Sequence, residues 1–207
     1  MGTPLFVKVC GLRTERDVDT AAEAGADAIG FVFAESPRRV GAGTARRLAA
    51  RVPDGVLTVG VFRDQPLSEV RALLDETGMR AVQLHGGEDL AYYDSLRTDG
   101  RTLIRGAAVK GEVPRYGERG EDILLLDAPV PGAGEAWDRT GKRLPGPGRR
   151  WLLAGGLAPH NVAAAVRTAR PWGVDVSSGI ETSRGVKGPE LITAFVAAAR
   201  GARTESG

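Results

Sequence analysis

Residues 5–33 read LFVKVCGLRTERDVDTAAEAGADAIGFVF, and they contain two apolar runs separated by a segment of helical periodicity. The runs at 5–10 and 27–33 are almost continuously apolar, which is typical of parallel strands covered by helices. Between them, small and apolar residues recur at the spacing of an amphipathic helix. These residues are Val18, Ala21, Ala22 and Gly25. The stretch therefore predicts a parallel strand–helix–strand unit.

The same alternation continues along the chain. The predicted strands are 5–10, 27–33, 56–62, 80–84, 101–106, 123–127, 151–154 and 172–177. Eight strand–helix units in 207 residues favour an α/β fold of minimal size, a parallel eight-stranded (β/α)8 TIM barrel forming one domain over 1–207, with a frayed tail at 201–207. A doubly wound sheet is the alternative. However, the Cys10-Gly11-Leu12 segment after the first strand is not a Gly-rich dinucleotide loop.

Two connections lack a clear helical pattern, 111–120 and 129–148. The second is rich in Pro and Gly, which resist regular structure, so we interpret it either as a mobile lid or as an inert surface loop.

Composition limits the possible functions. The single cysteine cannot form an internal disulfide or a thiolate metal cage, and two histidines are too few for most zinc sites, so we expect no metal. The net charge of +2 is scattered along the chain, which makes nucleic acid an unlikely partner. Neither a signal peptide nor a membrane-spanning run is visible, so we expect a cytoplasmic protein. The sequence leaves the oligomeric state open, with a monomer slightly favoured.

Polar residues at the ends of barrel strands are the candidates for chemistry, because barrel active sites lie at that face. Strand alternation places Cys10 on the same face as Lys8, and Asp127 on the same face as Leu125. If both faces point into the barrel, a thiol and a carboxylate meet at its mouth as an acid–base pair. The alternatives are a buried structural cysteine and an aspartate that only forms a turn.

Glycine-containing loops follow the last two strands. Gly155 and Gly156 end strand seven, and Ser178 and Gly179 follow strand eight. Loops at these positions of TIM barrels frequently bind phosphate through backbone amides and a helix N-terminus. The spacing therefore predicts a phosphate site and a small phosphorylated substrate.

Several segments together resemble the phosphoribosylanthranilate isomerases of tryptophan biosynthesis. They include 7–13 (VKVCGLR), 25–33 (GADAIGFVF), 36–38 (SPR), 82–86 (VQLHG), 124–127 (LLLD), 154–157 (AGGL) and 174–181 (VDVSSGIE). The resemblance runs from Phe6 to about Phe195. It implies a cofactor-independent Amadori rearrangement in which Cys10 is the general base and Asp127 the general acid.

The resemblance also implies that Arg38 holds the anthranilate carboxylate, with Arg39 as a solvated neighbour. We expect Gln83 and His85 to line the anthranilate side, although His85 can equally be a plain loop residue. Lys8 and Asp175 are charges within apolar strands, so we expect them to find partners, each other being one option.

Two other functions remain open at this stage. One is a bifunctional isomerase that also acts on the histidine-pathway ribotide; such enzymes usually carry aspartate where Cys10 stands. The other is a non-catalytic barrel that binds a phosphorylated ligand, since a fold does not determine a function.

Overall fold

The computed structural model describes residues 4–109, 112–127, 144–145 and 149–204. Its first eight strands are β1 (Phe6–Cys10), β2 (Ala28–Val32), β3 (Leu57–Phe62), β4 (Ala81–Leu84), β5 (Thr102–Ala108), β6 (Ile123–Asp127), β7 (Trp151–Ala154) and β8 (Gly173–Val176). The helices are α1 (Glu15–Glu23), α2 (Ala42–Ala49), α3 (Leu67–Thr77), α4 (Leu90–Arg97), α5 (Val162–Ala169) and α6 (Pro189–Thr204). A 3₁₀ turn (Ser178–Ile180) and a hairpin of β9 (Glu181–Ser183) and β10 (Val186–Lys187) separate β8 from α6.

The eight strands form a closed parallel barrel in sequence order, and β8 pairs with β1. This closure confirms the TIM barrel and excludes the doubly wound sheet. Each predicted strand agrees with an observed one to within about two residues at either end.

Local sequence signals begin and end the helices. The Thr14 hydroxyl accepts a hydrogen bond from the Asp17 backbone N–H, and Asp89 does the same for Tyr92, so each caps a helix N-terminus. Gly78 adopts a left-handed conformation and ends α3. These signals set the start of α1 and α4 and the end of α3.

The core has two layers. The layer inside the barrel is made mostly of small and aliphatic side chains: Cys10, Ala28, Val32, Ala34, Val59, Val61, Ala81, Ile104, Ile123, Leu125, Leu152 and Ala154. The larger layer lies between strands and helices. At the amino ends of the strands, the rings of Phe6 and Trp172 stack with their centroids 4.5 Å apart. Packed side chains thus occupy the barrel interior.

The C-terminal tail differs from expectation, and two connections had no clear helical pattern in the sequence. Helix α6 continues to Thr204, and Ala202 is buried in the core, so packing orders part of the segment expected to fray. The described part of the β5–β6 connection, 112–122, contains turns and no helix, with Gly117 and Gly120 at positive φ. Most of the 129–148 segment, predicted as a lid or inert loop, lies outside the described residues.

Among the described helices, none is long and apolar enough to cross a membrane.

Candidate active site

A cavity of about 370 Å³ opens at the carboxyl ends of the strands. Its lining includes most of the residues that the sequence pointed to: Cys10, Arg38, Gln83, His85, Asp127, Gly155, Gly156 and Ser178. Gly179 is not among the lining residues but follows Ser178 directly in the 3₁₀ turn. The predicted acid–base pair and the predicted phosphate loops therefore belong to one cavity.

Cys10 is the last residue of β1, and its side chain points into the barrel. Its partner in the register with β2 is Gly30, and a Cβ atom at Gly30 would lie only 2.8 Å from the Cys10 Sγ. The absence of a side chain at Gly30 therefore makes room for the thiol. The Ser177 hydroxyl donates a hydrogen bond to the Cys10 carbonyl oxygen (3.2 Å) and ties β1 to the loop after β8.

Charged groups surround the thiol. Burial raises the pKa of Cys10 above its ordinary value, and the ammonium groups of Lys8 and Lys187 oppose this shift. Burial alone would lower the pKa of Lys8, but the Asp175 carboxylate outweighs that effect and raises it. Lys8 Nζ donates to Asp175 Oδ1 at 2.8 Å, so the expected pairing of these two charges is confirmed. The thiol is therefore mostly protonated at rest, and the nearby ammonium groups can stabilise the thiolate when it forms.

Asp127 ends β6, and its side chain is 39% exposed at the cavity. His85 Nε2 lies 3.6 Å from Asp127 Oδ2, while His85 Nδ1 lies 3.3 Å from Gln83 Nε2. Gly106 on β5 makes room for the imidazole, because a Cβ there would overlap the ring. His85, predicted with Gln83 to line the substrate's aromatic side, is therefore also the neighbour of Asp127, and Gln83 is the neighbour of His85.

Gln83 is buried, and its Oε1 atom has no hydrogen-bond partner among the described residues. Because the amide nitrogen faces His85 Nδ1, the pair is satisfied when Nδ1 accepts and Nε2 carries the proton. The histidine then presents an N–H to the Asp127 carboxylate.

The two glycine loops touch each other at the mouth of the barrel. Gly155 and Gly156 have φ values of 89° and 62°, a conformation that favours glycine. A Cβ on Gly179 would overlap the Leu157 carbonyl oxygen, so the loop after β8 packs directly on the loop after β7. Asn161 fixes the latter loop by accepting from the Ala158 N–H (2.8 Å) and donating to the Gly156 carbonyl (3.0 Å). Close approach of two backbones in this way suits recognition of an anion by amides.

Arg38 reaches the cavity from the loop after β2 and forms a two-point ion pair. Its Nε and Nη2 atoms donate to the two oxygens of Glu181 at 2.6 and 3.0 Å. Arg39, in contrast, is 56% exposed, pairs with Glu35 at 3.3 Å and does not line the cavity. Of the two neighbouring arginines, the geometry favours Arg38 as the one that meets a ligand.

Glu181 and Lys187 were not singled out from the sequence. Lys187 is almost completely buried and donates to Glu181 Oε1 at 3.0 Å. The only sequence signal is a charge of each sign on either side of a glycine-containing hairpin. Such a signal is common on exposed loops, so the burial of both groups could not be foreseen.

Groups of three or more His, Cys, Asp or Glu side chains arranged to hold a metal ion are absent from the described part of the chain. The polar groups of the cavity that the sequence pointed to thus include a thiol, a carboxylate beside a histidine, an arginine and the glycine loops.

The fold and cavity define the class as (β/α)8-barrel enzymes with their reactive groups at the carboxyl ends of the strands. The chain belongs to the N-(5'phosphoribosyl)anthranilate (PRA) isomerase family, whose model matches residues 7–198.

Curated relatives agree with this assignment. An N-(5'-phosphoribosyl)anthranilate isomerase from Symbiobacterium thermophilum is 40% identical, with 95% of this chain and 99% of the relative covered. The enzyme of the same name from Rubrobacter xylanophilus is 42% identical, with 94% and 98% covered.

Solved structures give the same result. TrpF from Jonesia denitrificans superposes with a TM-score of 0.86 at 40% identity, covering 96% of this chain and 98% of that one. A phosphoribosyl anthranilate isomerase in complex with reduced 1-(o-carboxyphenylamino)-1-deoxyribulose 5-phosphate superposes with a TM-score of 0.77 at 31% identity, covering 95% and 99%. That relative binds a phosphorylated product analogue.

Proposed function

We propose that this chain isomerises N-(5'-phosphoribosyl)anthranilate to 1-(2-carboxyphenylamino)-1-deoxyribulose 5-phosphate in tryptophan biosynthesis. The observation that carries the proposal is the presence of Cys10 and Asp127 in one cavity with the two glycine loops, in a chain of this family. The thiol and the carboxylate come from β1 and β6, which lie far apart around the barrel. A ligand seated between them meets an acid from one side and a base from the other.

Asp127 is the general acid in this account. It donates a proton to the furanose ring oxygen, the C1–O bond breaks, and the electron pair on the anthranilate nitrogen forms an iminium ion at C1. His85 Nε2, 3.6 Å from Asp127 Oδ2, lies near enough to support the negative charge that Asp127 acquires.

Cys10 is the general base. As thiolate it removes the proton from C2, and the C–H electron pair flows toward the iminium to give an enolamine, which tautomerises to the ketone. Because the iminium of the substrate accepts these electrons, the chemistry needs neither metal nor organic cofactor. Lys8 and Lys187 lie near enough to stabilise the thiolate electrostatically.

Different groups around the cavity mouth bind the phosphate and the anthranilate part of the substrate. Backbone amides of Gly155, Gly156, Ser178 and Gly179 receive the phosphate, as the loops after strands seven and eight of such barrels often do. Arg38 receives the anthranilate carboxylate, for which its planar guanidinium is suited. Gln83 and His85 then border the aromatic ring.

Two assays test this function. The gene for the wild-type chain should restore growth without tryptophan to an auxotroph that lacks this isomerase, and the gene for Cys10→Ala should not. The purified protein should also convert N-(5'-phosphoribosyl)anthranilate to the deoxyribulose product. A folded wild-type protein that fails in both assays would contradict the proposal.

A further inference from the structure

The Arg38 guanidinium is held by Glu181 on one edge, and its other edge has no partner among the described residues. A guanidinium has two edges that can each receive a carboxylate, one formed by Nε and Nη2 and one by Nη1 and Nη2. Glu181 occupies the first edge through both of its oxygens. Nη1 has no hydrogen-bond partner among the described residues, and Arg38 lines the cavity. The second edge is therefore available to a ligand.

Taken alone, the Arg38–Glu181 pair has no net charge. A ligand carboxylate that approached it would be attracted by the guanidinium and repelled by the nearby Glu181 carboxylate. The Arg38 side chain and hydrogen bonds from Gly185 and Lys187 outweigh the effect of burial and lower the pKa of Glu181 to about 2, so it stays ionised at neutral pH. Charge balance at this position requires another cation.

Lys187 is that cation. Its Nζ lies 3.0 Å from Glu181 Oε1, and its side chain is only 1% exposed. Burial lowers the pKa of Lys187, and the Glu181 carboxylate counteracts that shift. A buried ammonium is costly unless it is paired, so this lysine depends on the carboxylate. The three groups together carry one net positive charge.

Hydrogen bonds within the loop and hairpin after β8 hold Glu181 and Lys187 in this cluster. Lys187 also donates to the Ser177 carbonyl oxygen at 2.8 Å, and its Nζ lies 3.3 Å from Ser177 Oγ. Glu181 accepts a further hydrogen bond from the Gly185 N–H at 3.1 Å. Glu181 and Lys187 are thus bound by backbone groups of the loop after β8 as well as by each other, which limits the orientations open to the Arg38 guanidinium.

We propose that Glu181 and Lys187 are positioning residues for recognition of the substrate's carboxylate. Glu181 fixes the Nε edge of Arg38 so that the second edge faces the cavity, and Lys187 offsets the charge of Glu181 so that the cluster still attracts an anion. This inference rests on the proposed function, because it assumes that the ligand carries a carboxylate at that side.

The test compares two probes by calorimetry: the reduced product analogue, and the same molecule without its aromatic carboxylate. Lys187→Met makes the cluster neutral, so it should weaken binding of the first probe about tenfold and change binding of the second less than about twofold. Lys187→Arg keeps the charge and should retain the preference for the carboxylate probe.

The decisive variant is Glu181→Gln/Lys187→Met, which returns the cluster to one positive charge on Arg38 and keeps a side-chain oxygen that can accept from Arg38 Nε. It should bind the carboxylate probe about threefold or more tightly than Lys187→Met alone. Asp19→Asn is the matched control, since Arg51 holds Asp19 by the same two-point geometry (2.8 and 2.6 Å) far from the cavity. It should leave both affinities unchanged.

Equal losses for the two probes in Lys187→Met, or a further loss in the double variant, would overturn the inference and reduce Lys187 to a support of the loop. Failure of the proposed function would look different. In that case the wild-type protein would neither convert the substrate nor prefer the probe that carries the carboxylate.

Discussion

Lys8 and Asp175 face each other on adjacent strands and form an ion pair at 2.8 Å inside the barrel. The Lys8 side chain is fully buried and that of Asp175 is 10% exposed. Both lie inside the barrel close to Cys10, and their charges act on the pKa of its thiol. A pair in such a place costs desolvation, but removal of one partner costs more because it leaves a buried charge alone.

Lys8→Met should therefore lower the free energy of unfolding by about 3–5 kcal/mol, whereas Lys8→Met/Asp175→Val should lose clearly less than that. Urea unfolding followed by circular dichroism measures both. Asp75→Asn is a suitable control, because the Asp75 partner of Arg101 is 70% exposed, and it should cost at most about 1 kcal/mol. A double variant less stable than the single one would show that the pair itself stabilises the barrel.

The protonation of Cys10 gives a second prediction. Because burial raises the pKa of the Cys10 thiol, thiolate should form at a higher pH in the free enzyme than it does in an unfolded chain. Cys10 acts as a base only when it is deprotonated, so its contribution to catalysis should follow the thiolate fraction. Thiolate absorbance reports on Cys10 alone, since it is the only cysteine, and Cys10→Ala supplies the background. A midpoint below that of an unfolded chain would mean that the cations outweigh burial.

The glycine loops predict anion binding. Inorganic phosphate should raise the melting temperature of the wild-type protein and compete with substrate, because a ligand of the folded state stabilises it by mass action. Gly179→Val should abolish that protection, because even a Cβ overlaps the Leu157 carbonyl oxygen. Gly43→Ala, where a Cβ meets nothing within 4 Å, should retain it. Full phosphate protection in Gly179→Val and in Gly156→Val would place the anion elsewhere.

Arg38 predicts selectivity for the carboxylate of the substrate. Arg38→Met should weaken substrate binding roughly 10- to 100-fold, the value of a charge-assisted contact of about 1.5–3 kcal/mol. Affinity for inorganic phosphate should fall much less, because the phosphate is proposed to bind backbone amides of the loops after β7 and β8 and not the guanidinium. Arg39→Met removes the exposed neighbour and should leave substrate binding intact. Parallel losses of substrate and phosphate in Arg38→Met would indicate a general electrostatic effect instead.

Much of the fold was predictable because its signals are local. Continuous apolar runs marked all eight strands, and the pairing of Lys8 with Asp175 followed from the cost of isolated buried charge. The approach of Cys10 and Asp127 followed from strand alternation together with the geometry of a barrel.

Other features depend on tertiary contacts that periodicity cannot show. The end of α6 is ordered because Ala202 packs in the core, and sequence alone gives no partner for it. The Gln83–His85–Asp127 chain joins side chains from β4 and its following loop to β6. The Arg38–Glu181–Lys187 cluster joins residues more than 140 positions apart, so the ionic partner of Arg38 could be found only in three dimensions.

The central claim is that Cys10 and Asp127 perform the proton transfers, and single-turnover conversion of N-(5'-phosphoribosyl)anthranilate tests it most directly. Cys10→Ala and Asp127→Asn should each slow conversion by about 10²–10⁴-fold, the usual contribution of a general acid or base. Both variants should keep the circular dichroism spectrum and the affinity for the reduced product analogue, so that the loss lies in chemistry. Conversion by Cys10→Ala at close to the wild-type rate would contradict the account.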